Sequence, residues 1–187
     1  MIEPNVILLN GASSSGKSTF GRKLQSSLKA PYFYLSSDQF VEANILPKLN
    51  RESPDHNNSW NIIRPKFFSA FHKTIKSFTD SGNLVIVEHV IEKNSWLHEL
   101  VDILKNNSVL YIGIMCPVEE IESRERARGD RYIGEGFSHI QDGIHTWSKY
   151  DLEIDTHQET VDNNISTVIN SMKNYSRESS IFRNLVK

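Results

Sequence analysis

The sequence holds one cysteine, Cys116, in 187 residues. No intrachain disulfide can form, and a Cys-based metal site or nucleophile lacks supporting residues nearby. Cys116 ends the apolar run from Val109 and reads as a buried core thiol of a reducing compartment. No apolar stretch approaches the ~18 residues of a membrane span. The N-terminus carries Glu3 and Pro4 where a secretory leader would be basic. Charge of one sign is also lacking: 21 Lys and Arg face 23 Asp and Glu, a formal net charge of −2, with no long basic run. That balance argues against a nucleic-acid partner. There is no internal repeat and no low-complexity segment. These absences leave a cytoplasmic globular chain without a membrane partner. It is long enough to bury a core as one domain over residues 1–187, and its oligomeric state stays open.

What is present is a string of short apolar runs separated by helical patterns. Val6–Leu9, Tyr32–Leu35, Leu84–Val87, Val109–Met115 and Leu152–Asp155 read as five buried strands. Between them, Gly16–Leu28, a short stretch to about Leu46, Trp60–Phe78, Asn94–Leu104, a segment opened by Pro117 and running to Arg128, Gly134–Trp147 and Thr160–Met172 read as helices. The polar stretch within 44–61 is a long loop and a candidate acceptor-binding insertion. The tail after Asn174 is polar and carries no clear pattern. Alternating strands and helices predict an α/β fold, a five-stranded parallel sheet with helices on both faces. Ligands of such sheets bind beyond the carboxyl ends of the strands. Gly11 to Ser18, Asp38, Glu88 and Thr156–His157 should therefore converge.

Gly11-Ala12-Ser13-Ser14-Ser15-Gly16-Lys17-Ser18 matches G-x-x-x-x-G-K-[ST] between a predicted strand and a predicted helix. Glycines let backbone N–H groups turn inward around phosphate oxygens, and the following helix adds its positive end. Lys17 would reach the β/γ oxygens, the Ser18 hydroxyl would meet Mg²⁺, and Thr19 continues the loop. The pattern points to a nucleoside triphosphate with magnesium. Asp38 follows the second strand, where a carboxylate can take the proton of an attacking hydroxyl, although Asp also caps helices well. Glu88 ends the third strand as a candidate metal-holding acid, and His89 should point to the opposite face. Arg124 and Arg128 share a helix face, and Arg131 lies just beyond Gly129. Together they suggest an arginine-bearing lid over about 124–136, clamping phosphate oxygens.

These features resemble the chloramphenicol phosphotransferase family of P-loop kinases. The resemblance rests on the phosphate loop, Ser36-Ser37-Asp38 with Val41-Glu42-Ala43, and Ile112-Gly113-Ile114-Met115-Cys116. It also rests on Glu125-Arg126-Ala127-Arg128-Gly129-Asp130-Arg131, His145, Tyr150-Asp151 and Ile154-Asp155-Thr156-His157. It implies an ATP-dependent O-phosphotransferase acting on a hydroxyl of a small organic molecule. Asp38 would be the base, Lys17 and Ser18 would hold triphosphate and Mg²⁺, and Arg128 and Arg131 would belong to the lid. Glu88-His89 stands where a family member carries two adjacent aspartates, and the stretch from Pro47 to Asn61 also differs. Alternative readings are a nucleoside, nucleotide or sugar-nucleotide kinase, or a regulatory NTP-binding module.

Overall fold

A computed structural model describes residues 3–50, 57–128, 133–147 and 149–185. Five strands, β1 (Val6–Asn10), β2 (Tyr32–Ser36), β3 (Leu84–His89), β4 (Val109–Met115) and β5 (Leu152–Asp155), form one sheet in the order β2-β3-β1-β4-β5. Every pairing is parallel. Successive side chains leave opposite faces of a strand, so a sheet covered on both sides needs continuous apolar runs. In β1, Val6 and Leu8 enter one core cluster while Ile7 and Leu9 enter the other. Val85 and Val87 of β3 likewise separate from Ile86.

One face is covered by α1 (Lys17–Ser27) and α7 (Val161–Lys173), through Phe20, Leu24, Ile165 and Val168. The other is covered by α3 (Trp60–Asp80) and α4 (Asn94–Leu104), through Phe67, Phe71, Ile75, Leu97 and Leu100. The short α2 (Ser37–Glu42) follows β2 directly, α5 (Val118–Arg128) follows β4, and α6 (Glu135–Gln141) precedes β5. No helix among the described residues is long and apolar enough to cross a membrane.

Several boundaries differ from the sequence expectation. The helix expected to reach Leu46 ends at Glu42, with Asn44 in the left-handed region at φ 56°. The helix expected from Gly134 to Trp147 stops at Gln141, because Gly143 turns the chain at φ 82°. The unassigned tail forms α8 (Ile181–Asn184), which buries Phe182 against Tyr111 of β4. Asp151 fastens it by accepting from the Ile181 N–H at 2.6 Å and the Ser180 hydroxyl at 3.0 Å. Cys116 is half-buried rather than a core thiol, and burial pushes its pKa up.

Candidate functional site

The carboxyl ends of the central strands meet in register: Ser36 beside Glu88, Leu9 beside Glu88, Asn10 beside His89. The phosphate loop leaves β1 here and enters α1 through Gly16, which has φ 92° and no side-chain cap. A left-handed residue at that position favours glycine. It leaves the first N–H groups of α1 open toward an anion. The Ser14 and Ser15 hydroxyls are buried with no hydrogen-bond partner among the described residues, and Lys17 Nζ donates to the Ala12 carbonyl at 2.6 Å. Unsatisfied buried hydroxyls and a lysine folded back on its own loop suit a loop built around phosphate oxygens.

Two cavities flank this loop. The larger, about 310 Å³, is lined by Ser13, Lys17 and Ser18 on one side and by Asp38, Glu88 and His89 on the other. The second, about 190 Å³, lies between Gly16, Thr19, Arg124 and Thr156. Arg128 borders both. Gly11, Ala12 and Ser15 line neither cavity and instead shape the loop. A Cβ on Gly11 would sit 2.7 Å from the Ile114 carbonyl of β4. Arg131 lies outside the described residues, as do 51–56 of the candidate acceptor insertion. Within that insertion the Asn50 N–H donates to the Asn58 carbonyl at 3.0 Å.

Glu88 is tied at both oxygens. The Ser18 hydroxyl donates to Oε1 at 2.7 Å and the Tyr34 hydroxyl to Oε2. Tyr34 is packed beneath Arg22, 3.9 Å from its ring centre, and its pKa is pushed far up by burial and by Glu88, so it stays a donor. A serine hydroxyl beside a carboxylate is a hard oxygen pair. It fits Mg²⁺, which keeps most of its shell as water and phosphate oxygens. Among the described residues no group of three His, Cys, Asp or Glu could hold a metal by itself.

Asp38 is exposed at the start of α2, and the capping of that helix is done by Ser36. The Ser36 hydroxyl accepts from the Asp38 N–H at 3.2 Å, while its own N–H donates to the Gln39 side chain at 3.0 Å. The Asp38 carboxylate is therefore not spent as the helix cap and borders the cleft facing the phosphate loop.

Arg124 braces the loop. Its guanidinium donates to the Thr156 carbonyl at 3.0 Å and to Glu120 at 2.8 Å, and Thr156 Oγ1 donates to the Ser15 carbonyl at 2.6 Å. Thr156 thus arrives where the strand-end argument puts it, whereas His157 turns outward toward Glu120.

Other residues escaped the sequence reading. The buried Glu125 carboxylate accepts from Gly134 N–H at 2.7 Å and Gly136 N–H at 2.8 Å, joining α5 to α6 across the lid segment. Gly136 has no room for a side chain, since a Cβ would meet Ile121 and lie 2.6 Å from the Ser13 carbonyl. His139 accepts the Ser13 N–H at Nδ1 at 3.1 Å, and burial lowers its pKa. Asn10, at the end of β1, donates to the Tyr150 hydroxyl at 2.8 Å and accepts from the Ile91 N–H at 2.9 Å. A polar residue closing an apolar run, as Asn10 does, was an available signal, although its partners lie far off in sequence. Glu125 sits in a charged stretch and reads as one more solvated acid until α6 folds back onto it.

The chloramphenicol phosphotransferase-like family model matches residues 4–173. A candidate O-phosphotransferase of Mycobacterium tuberculosis strain H37Rv is 27% identical over 175 residues, covering 83% of this chain and 76% of the relative. The fold matches the M. tuberculosis APS kinase in complex with AMPPNP and APS (TM-score 0.62, 16% identity, 92% and 99% of the two chains). It also matches the Acinetobacter baumannii shikimate kinase in complex with shikimate (TM-score 0.61, 16% identity, 92% and 94%). The arrangement around the phosphate loop is that of a P-loop kinase, and the chain belongs to the chloramphenicol phosphotransferase-like family.

Proposed function

We propose that this enzyme transfers the γ-phosphoryl group of ATP, with Mg²⁺, to a hydroxyl of a small organic molecule in the cytoplasm. The observation that carries the reading is that Asp38 and the phosphate loop share one cleft. The loop, with Lys17, holds the triphosphate, and the smaller cavity beside Arg124 and Thr19 suits the nucleoside end. Ser18 and Glu88 hold Mg²⁺, which neutralises charge on the transferring group. Asp38 orients the acceptor hydroxyl and takes its proton as the new O–P bond forms and the bond to ADP breaks. Arg128, at the border of both cavities, faces the charge that spreads over the transferring oxygens, with Arg131 contributing from the same lid.

The walls beyond Asp38 are aromatic: Trp60, Phe67 and Phe68 of α3. They suit a ring-bearing, antibiotic-like or metabolite acceptor rather than a flat protein surface. Incubation with Mg·ATP and a panel of hydroxylated metabolites and antibiotics, read by mass spectrometry, tests the reading. A phosphorylated acceptor is the expected product. ADP formed with no phosphorylated acceptor would favour an NTP-binding module instead.

A further inference from the structure

The acceptor side of the cleft contains a buried histidine whose hydrogen-bonding state is set from the protein surface. His89 ends β3, is 1% exposed, and packs nearly parallel to Phe68 and Trp96, with Phe71 at its edge. These rings hold the imidazole in one orientation. Its Nε2 lies 2.9 Å from Nε2 of His72, a fully buried residue of α3. His72 Nδ1 lies 2.8 Å from Glu99 Oε2 on α4, and Ser69 donates to the other Glu99 oxygen at 2.6 Å.

The protons along this row follow by elimination. Burial raises the Glu99 pKa, but hydrogen bonds from Ser69 and His72 outweigh it, so Glu99 is a carboxylate and accepts only. Both rings are closed in, His72 fully and His89 between Phe68 and Trp96, and a second N–H on either would leave a buried donor at His89 Nδ1 with no partner among the described residues, so each carries one N–H. His72 must spend its proton at Nδ1 on Glu99, which leaves Nε2 as an acceptor. His89 must then place its proton at Nε2, facing His72. Its Nδ1 is left as a bare lone pair, and that atom is buried with no hydrogen-bond partner among the described residues. Such a lone pair is unfavourable unless something meets it. His89 lines the cleft beside Lys17 and Phe68.

We infer that His89, fixed as an acceptor by the row Glu99–His72–His89, reads a hydrogen-bond donor on the acceptor molecule and so determines specificity. This deepens the phosphotransferase reading by giving the acceptor a second polar feature, an O–H or N–H placed away from aliphatic or ring surface. A site built to satisfy a donor discriminates against analogues that lack it, because its own polar atom is then left unpaired.

The test uses wild-type protein labelled with ¹⁵N-histidine and two ring-bearing probes that differ by one O-methyl group, benzyl alcohol and benzyl methyl ether. Long-range ¹H–¹⁵N correlation should show His72 protonated at Nδ1 and His89 at Nε2. Benzyl alcohol should move the His89 Nδ1 signal and bind about 3- to 10-fold more tightly than the ether, the worth of one net hydrogen bond. The ether should leave that signal in place. His89→Asn, which keeps an acceptor near the Nδ1 position, should retain part of the preference, and His89→Gln should lose it. Glu99→Leu, at the surface end, should mix the tautomers of both histidines. His89 protonated at Nδ1, equal responses to the two probes, or no His89 response up to the solubility of the alcohol would each leave a structural, water-bonded histidine only. No turnover is measured, so failure here leaves phosphoryl transfer standing, and failure of the acceptor panel leaves this result standing.

Discussion

The Ser18 hydroxyl donates to the Glu88 carboxylate at 2.7 Å, joining the last residue of the phosphate loop to the carboxyl end of β3, 70 residues away. Tyr34 holds the other Glu88 oxygen, so the carboxylate is aimed before any ligand arrives. If this pair holds Mg²⁺, Glu88→Gln weakens binding of Mg·ATP by about tenfold or more while binding of ATP in EDTA changes little. Titration calorimetry with and without magnesium separates the two. Equal losses in both conditions would make Glu88 a purely structural partner of Tyr34.

Glu125 joins the two sides of the lid segment through two buried N–H groups. Removing its side chain in Glu125→Ala strands both donors, a cost of about 2–3 kcal/mol. Urea unfolding should show this loss, and Glu125→Gln, which keeps one acceptor oxygen, should recover part of it. Full stability in Glu125→Ala would show that the two amides find other partners.

Gly136 is closed in by Ile121 and the Ser13 carbonyl. Gly136→Ala forces α6 away from the phosphate loop, at about 1–3 kcal/mol for overpacking. Because His139 on the same helix accepts the Ser13 N–H, nucleotide affinity should fall together with the melting temperature. Gly134→Ala is a useful comparison. It is strained by φ 96° but has open space around it, so it should alter stability without the same loss of nucleotide affinity.

Much of this architecture was legible because it is written locally. A strand buried on both faces shows as a short apolar run, and Gly16 announces the turn into α1. What stayed hidden is written at long range. Tyr34 reads as one more aromatic in a strand until β3 brings Glu88 to it, 54 residues on. His139 lies 126 residues from Ser13 and sits in a segment whose helix ends sooner than its pattern suggests. The tail residues Ser180 and Phe182 have no periodicity of their own, and β4 and Asp151 give them their place. From sequence Asp38 reads as a base, with a helix cap as the alternative, and in the structure Ser36 fills the cap role.

His145 gives a pH dependence of stability. Burial lowers its pKa to about 4, and its Nδ1 lies 2.7 Å from the Tyr150 hydroxyl, itself fixed by Asn10. The unfolded chain binds this proton from about pH 6.5 downward, whereas the folded chain resists it until about pH 4. Its contribution is therefore complete above pH 6.5 and is lost as pH falls through that window. Urea midpoints measured from pH 7 to pH 4 should fall, and His145→Asn should flatten the decline. An unchanged slope in that variant would assign the decline to other groups.

The central claim is that Asp38 takes the proton from an acceptor hydroxyl while the phosphate loop holds the triphosphate. The most direct measurement compares wild type and Asp38→Asn, side by side, for phosphorylated acceptor formed from Mg·ATP and for nucleotide affinity. The account predicts product formation slower by about 10²–10⁴ in Asp38→Asn with nucleotide affinity almost unchanged. Equal rates of acceptor phosphorylation in the two proteins, or ADP formed by wild type with no phosphorylated acceptor, would contradict it.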